Sequence, residues 1–385
     1  METAVQPKVD KRLLHQTAAD TLMGQLLRRF WHPVALSTDL KAGSACPIRV
    51  LGENLTLYRG KSGRPYLIGG RCAHRCSVLH TGVIDDEQLR CMYHGWRYNG
   101  DGVCTNMPAE KKQRPTEIKI AGYPAHEYCG LIFAYLGQQP VPEFDLPRKE
   151  VFEDGSRFVF AKREVWDCNW FQQVENSLDA VHLSFAHLWG SAEQFGVMAA
   201  GGGEIPELAY SETSSGIRQT ATRSNGNVRI SDWTFPNNNH IVVPGPNKSD
   251  PWPHVSVWAV PSDDTHTMRF RLCSLQEDDP ANRETIERSQ KFDPSQHAEK
   301  LFRGDLAGIT DQALISSQDY VAVRGQGEIV DRTQENLSSS DLGVVFLRRV
   351  FLRELEAIQC GQPTKQWARP SESLHLPSPP AQAAE

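Results

Sequence analysis

The chain has 385 residues, 39% of them apolar and 23% charged, with a formal net charge of −6. That length suits two domains with cores that need no disulfides, and the composition excludes a disordered or fibrous chain. The acidic balance argues against nucleic-acid binding and a polybasic anchor, no apolar run could span a membrane, and the polar N-terminus lacks a signal-peptide core, so a cytoplasmic protein is expected.

Residues 1–30 read as an N-terminal helical segment, with Leu13, Leu14, Thr17, Ala18, Leu22, Leu26 and Leu27 at roughly helical spacing over 11–30. From 31 to 140 the chain breaks into short strand-like pieces: PIRVLG, LTLYRG, RPYLIGG, LRCMY, WRYNGDG and LIFAYLG. Asn99-Gly100-Asp101-Gly102 is a turn signal within this small all-β domain. Pro140, Pro142 and Pro147 mark a linker. The second domain, 150–368, opens with RFVFAKREVWDC as a strand. A helix is expected over 169–188, with Phe171, Val174, Leu178, Val181 and Phe185 on an apolar stripe. Strands are expected within 216–234, 239–243, 254–260 and 267–275, and helices over 309–322 and 341–358. The polar stretch 276–307, with helical pieces, is a candidate surface excursion or lid. Gly201-Gly202-Gly203 lacks the Lys-Ser/Thr of a phosphate cradle and reads as a loop. The Pro-, Ser- and Ala-rich tail 370–385 is expected to be disordered.

Nine cysteines and thirteen histidines call for an explanation. Cys72-Ala-His74 is followed by Cys91-Met-Tyr-His94, so each box offers one thiolate and one imidazole. Two sulfur and two nitrogen ligands suit structural zinc or a Rieske [2Fe–2S] cluster. Zinc sites usually group like ligands, whereas a cluster with one all-Cys and one all-His iron needs mixed boxes. CAHR…CMYHGWRYNGDG resembles the Rieske boxes of bacterial ring-hydroxylating oxygenases. The extra cysteines of high-potential respiratory Rieske proteins are missing, which favours the oxygenase type. Cys46, Cys76, Cys104, Cys129, Cys168, Cys273 and Cys360 have no partner at ligand spacing and read as thiols.

The second constellation is Asn176-Ser-Leu-Asp179-Ala-Val-His182, with His187 five residues on. On an ideal helix His182 and His187 would stand roughly 140° apart, so one metal could take both only if the helix bends or ends. Two histidines and a carboxylate form the facial triad of non-heme Fe(II) oxygenases. Asp311, Asp319 and Glu328 are the carboxylate candidates. N-x-x-D-x-x-H-x₄-H resembles the mononuclear-iron box of Rieske oxygenases, and VDRTQENLSSSD resembles their phthalate-dioxygenase-like branch. Trp258-Ala-Val-Pro-Ser-Asp-Asp-Thr-His266 also resembles that branch and reads as a strand and turn, with His266 structural.

The resemblance implies an α+β protein: an all-β Rieske [2Fe-2S] domain, then a helix-grip catalytic domain of antiparallel sheet and helices. It implies one [2Fe-2S] cluster on Cys72, His74, Cys91 and His94, and one mononuclear Fe(II) on His182, His187 and Asp319. Asp179 would bridge to a cluster histidine of a neighbouring subunit, which implies a homotrimer or a dimer of trimers. Asn176, one turn before Asp179, can face the iron or sit on the surface. The implied activity is a terminal oxygenase using O2 and electrons from a separate reductase, which carries flavin and a ferredoxin-type cluster. No dinucleotide-binding G-x-G-x-x-G motif is present in the chain itself. The expected reaction hydroxylates or dihydroxylates a small aromatic substrate, an aromatic carboxylate in the first reading. Oxidative O- or N-demethylation and aryl-ether cleavage are the alternatives. The pocket wall is expected from 195–260 and 295–315.

Overall fold

A computed structural model describes residues 10–112, 114–187, 204–224, 228–242, 253–276, 292–305 and 311–368. The Gly201-Gly202-Gly203 loop, most of the candidate lid and the C-terminal tail lie outside the described residues.

The N-terminal segment is not one helix. A 3-10 turn at Lys11–His15 is separated from α1 (Leu22–Leu27) by an extended stretch. Thr17, on the expected stripe, instead ties this stretch to Asp264 through its N–H (2.8 Å) and hydroxyl (2.6 Å). The backbone then folds back so tightly that a Cβ on Gly24 would lie 1.8 Å from the Ala18 carbonyl oxygen. Side-chain hydroxyls that bond outside the helix compete with it, and here they win.

Three small antiparallel sheets follow. β1 (Trp31–Leu36) pairs with β11 (Leu131–Tyr135), which pairs with β10 (Ala125–Tyr128). β2 (Ala45–Val50), β3 (Glu53–Arg59), β4 (Pro65–Gly69) and β9 (Gly122–Tyr123) form the second. β5 (Val83–Asp85), β6 (Gln88–Arg90), β7 (Arg97–Tyr98) and β8 (Cys104–Asn106) form the third. LRCMY and WRYNGDG are strands only in part. The ladder stops at Arg90, and both Cys91–His94 and the Asn99–Gly102 turn leave it.

The second half is built on one seven-stranded antiparallel sheet. In spatial order it runs β12 (Arg157–Trp166), β18 (Thr267–Gln276), β17 (His254–Pro261), β16 (Asn238–Val242), β15 (Val228–Thr234), β14 (Gly216–Thr222) and β13 (Glu207–Glu212). Its helices among the described residues are α2 (Trp170–Ser177), α3 (Ala298–Phe302), α4 (Asp311–Arg324) and α5 (Leu342–Gln359). The architecture is α+β, with an all-β unit preceding a large antiparallel sheet and helices. One apolar core crosses both halves, where Phe133 of β11 meets Trp258 of β17 edge-on at 5.6 Å. Backbone bonds from Leu51 and Gly52 to Pro261 and Ser262 (2.9 and 2.8 Å) join them as well. Among the described residues no helix is long and apolar enough to cross a membrane.

Helix α2 starts at Asn169, whose side chain accepts from the Phe171 N–H (3.0 Å) and donates to the carbonyls of His15 and Asp264. Trp170 and Phe171 pack edge-on against Phe351 of α5. The buried Glu175 carboxylate accepts from Arg332 (2.9 Å) and Arg348 (2.6 Å), clamping α2 to α5. Removing one member of a buried charge network strands the others. Glu175→Gln should therefore cost about 3–5 kcal/mol of stability in urea unfolding. A loss under about 1 kcal/mol would show that the clamp is dispensable.

Candidate metal centres

Two loops of the first half share one backbone form. The Cys76 N–H donates to the Cys72 carbonyl (2.9 Å) and the Cys72 N–H to that of Ser77 (2.8 Å). In the second loop Gly95 donates to Cys91 (3.1 Å) and Cys91 to Trp96 (2.8 Å). The residue four after each cysteine is left-handed, Cys76 at φ +56° and Gly95 at φ +75°. At Gly95 a Cβ would also press on Pro108 at 2.9 Å. These loops bury Cys72 and Cys91 with their thiols facing each other. They bring the rings of His74 and His94 to 4.5 Å, and His74 stacks on Trp96 at 4.7 Å. His74 Nδ1 is buried with no hydrogen-bond partner, as a nitrogen held ready for a metal would be.

Thiols thus form one pair and imidazoles another. Among the described residues, the one group of three or more His, Cys, Asp or Glu donors within 4.8 Å of one another lies elsewhere. A single tetrahedral ion with bonds of about 2.0–2.3 Å would draw all four donors closer than that. A two-iron core, with sulfur ligands on one iron and nitrogen ligands on the other, fits the separation. Sequence reasoning missed Tyr98. Its hydroxyl oxygen accepts from the Ala73 N–H (3.0 Å), which leaves its proton for the Cys72 sulfur at 3.2 Å. Burial raises the Cys72 pKa and the Tyr98 bond opposes that rise.

In the second half, the expected helix over 169–188 stops at Ser177. Asp179 Oδ1 then accepts from the N–H groups of Val181 (3.0 Å) and His182 (3.3 Å), closing a turn that leads into a 3-10 turn at His182–Ser184. Asp179 and His182 therefore do not share a helix face. The His182 ring lies 3.9 Å from the Asp179 carboxylate, beyond hydrogen-bond reach, and its Nδ1 sits against the Asp179 carbonyl instead. Ending the helix removes the angular obstacle between His182 and His187, and their ring centroids come to 5.3 Å.

Helix α4 brings a carboxylate to these two imidazoles. Asp319 Oδ1 lies 3.5 Å from His182 Nε2 and 3.4 Å from His187 Nε2, the one group in the described residues able to hold a single metal ion. Gln318 Oε1 stands 3.3 Å from His187 Nδ1, so both imidazoles have Nδ1 engaged and Nε2 directed inward. Asn176 Nδ2 reaches Asp319 Oδ1 at 3.4 Å, placing this amide on the carboxylate rather than on the surface. Burial disfavours a charge on Asp319, but His187 and His182 outweigh it and hold the carboxyl well below its ordinary range. Asp319 in turn raises His187 against the effect of burial. Of the other carboxylate candidates, Glu328 is exposed beside Arg324, and the Asp311 side chain lies outside the described residues. His266 stays in its own exposed turn, against Asp263 and Thr265.

Comparison with known proteins gives the same two parts. Residues 30–124 match the Rieske [2Fe-2S] domain family, and residues 134–373 match the family described as LigXa C-terminal domain like. The oxygenase subunit of 5,5'-dehydrodivanillate O-demethylase from Sphingobium sp. (strain NBRC 103272 / SYK-6) is 32% identical, across 95% of this chain and 84% of its own. The alpha subunit of phenoxybenzoate dioxygenase from Ectopseudomonas oleovorans is 32% identical, across 90% of this chain and 85% of its own. In fold, the chain is similar to NdmB of Pseudomonas putida CBB5, with a TM-score of 0.69 and 19% identity across 86% of this chain and 92% of that one. With a cluster domain followed by an iron-type catalytic domain along nearly its whole length, the chain belongs to the Rieske non-heme iron oxygenases, as an oxygenase subunit carrying a [2Fe-2S] cluster and a mononuclear iron.

Proposed function

We propose that this oxygenase oxidises an aromatic carboxylate, with its cluster on Cys72, His74, Cys91 and His94 and its Fe(II) on His182, His187 and Asp319. The observation that carries the reading is the convergence of both Nε2 atoms on Asp319 Oδ1. Iron held by two histidines and one carboxylate keeps open positions, which supply O2 activation. The protein's part is to fix the ligands. Gln318 and the Asp179 carbonyl orient the imidazoles, and Asn176 steadies the carboxylate. Residues 31–140 would deliver electrons and residues 150–368 would hold the substrate.

The enzyme works with O2 and with electrons from a separate protein, for which we propose a flavin-bearing reductase. A homotrimer, or a dimer of trimers, would pass electrons between subunits, with the cluster loops of one protomer docking at Asp179 of the next. Two exposures support this. Met92 and Tyr93 at the cluster loops are 65% and 54% exposed, and Phe185 near the iron ligands is 59% exposed. Large apolar groups left in water at two separate places suit a head-to-tail contact. No disulfide joins any of the nine cysteines, which fits a cytoplasmic location. Oxidative demethylation or ether cleavage is the second reading, favoured by the O-demethylase and phenoxybenzoate relatives.

Turnover with a surrogate reductase and a panel of benzoates, phthalates, methoxybenzoates and aryl ethers, with products identified by mass, should show oxygen insertion or demethylation on a carboxylated arene. Oxidation confined to uncarboxylated compounds would sink the reading. His182→Ala should lose the mononuclear iron and keep the cluster's visible absorption; stoichiometric retention of that iron would refute its role as a ligand. Asp179→Asn should retain both metals and slow single-turnover product formation at least about tenfold, a barrier rise of about 1.4 kcal/mol. Normal rates would remove the bridge. Tyr98→Phe should lower the cluster's midpoint potential, because a donor to the sulfur stabilises the reduced form; an unchanged potential contradicts that bond.

A further inference from the structure

The catalytic sheet has one face toward the iron, and the strand register says which residues share it. Gln219 of β14 donates to the Leu178 carbonyl (2.8 Å), one residue before Asp179, so its face is the iron face. Directly paired residues lie on one face and alternate along each strand. Gln219 pairs with Ser231, and the next same-face pair is Ala221 with Arg229. Arg223 follows two residues after Ala221 and is 5% exposed, while Thr222 and Ser224 beside it are exposed. The same parity places Ile241, Val255, Val257, Cys273 and Phe160 on this face, where they form one apolar patch.

Five other arginines that lie wholly or partly inside have carboxylate partners. Arg28 meets Glu53, Arg332 and Arg348 meet Glu175, and Arg269 and Arg271 meet Glu164. Arg223 and Arg229 make no ion pair with a described residue, and Arg223 Nε is buried without a hydrogen bond. The opposing charge that acts on Arg223, Glu204, already accepts from the Ser224 N–H. Burial, and for Arg229 the neighbouring Arg223 cation, push both guanidinium pKa values down. A guanidinium nevertheless stays charged in a protein, so this pair calls for an anion that no described residue provides.

We propose that Arg229 and Arg223 form the subsite that binds the substrate's carboxylate, with the aromatic ring laid on Val255, Val257 and Ile241. The inference rests on the aromatic-carboxylate reading above and supplies its specificity. A planar, forked donor matches a carboxylate, and two of them exclude neutral analogues that leave the charges unpaired.

The test is calorimetric titration of the metal-loaded enzyme with 4-methoxybenzoate and with its neutral isostere, 4-methoxybenzamide. The wild type should bind the carboxylate at least about tenfold more tightly. Arg229→Gln and Arg223→Gln should each weaken carboxylate binding about tenfold to a hundredfold and leave amide binding within about twofold. Arg229→Lys should keep part of the preference. Unchanged iron and sulfide content and unchanged amide binding would show that the variants are folded. Equal binding of the two probes by the wild type, or full carboxylate affinity in Arg229→Gln, would overturn the subsite. A wild type that binds the carboxylate selectively but yields no oxidised product would leave the subsite standing and defeat the substrate reading instead.

Discussion

A buried carboxylate has to be answered by positive charge or by donors, and the catalytic half is organised around one such group. Asp319 sits inside the protein on α4 and faces His182 and His187 from a different element. The two histidines can face it only because α2 ends at Ser177 and the Asp179 turn redirects the chain. The helix end is itself held by Glu175, whose arginines fix α2 to α5, and by Gln219, which bonds the Leu178 carbonyl from the sheet. The Asp319–His182–His187 cluster is thus the innermost layer of a set of charge and hydrogen-bond commitments that reach to the C-terminal helix.

The first half solves a different problem. Its two loops repeat one backbone turn, and repetition places sulfur opposite sulfur and imidazole opposite imidazole. The left-handed residue that each turn demands is a glycine in one loop and Cys76 in the other. Cys76 is therefore explained by its place in the turn and by nothing in the ligand set. Tyr98 adds control, since its hydroxyl accepts from the Ala73 N–H and lies in hydrogen-bond contact with the Cys72 sulfur.

Much of this was legible in residue order. The mixed Cys-His boxes carry their chemistry in spacing, the D-x-x-H-x₄-H run and Asp319 stand out through the resemblance to Rieske oxygenases, and the long strands of the catalytic sheet show in their apolar runs. What failed were continuous helices. Periodicity over 11–30 and 169–188 took no account of Thr17 bonding to Asp264 or of the Asp179 carboxylate capping a new turn. Both are side-chain bonds that compete with the helix, and a periodicity count does not include them. Arg223 and Arg229 were invisible for another reason. Nothing distinguishes them in sequence from surface arginines, and only strand register and the missing counter-charge set them apart.

The proposed chemistry needs two chemically different centres in one chain. Iron and acid-labile sulfide should be counted in the purified wild-type protein after loading. About three iron atoms and about two sulfides per chain are predicted, from a [2Fe–2S] cluster plus one mononuclear iron. About one zinc per chain with no labile sulfide, or two iron atoms with no third site that fills, would contradict it.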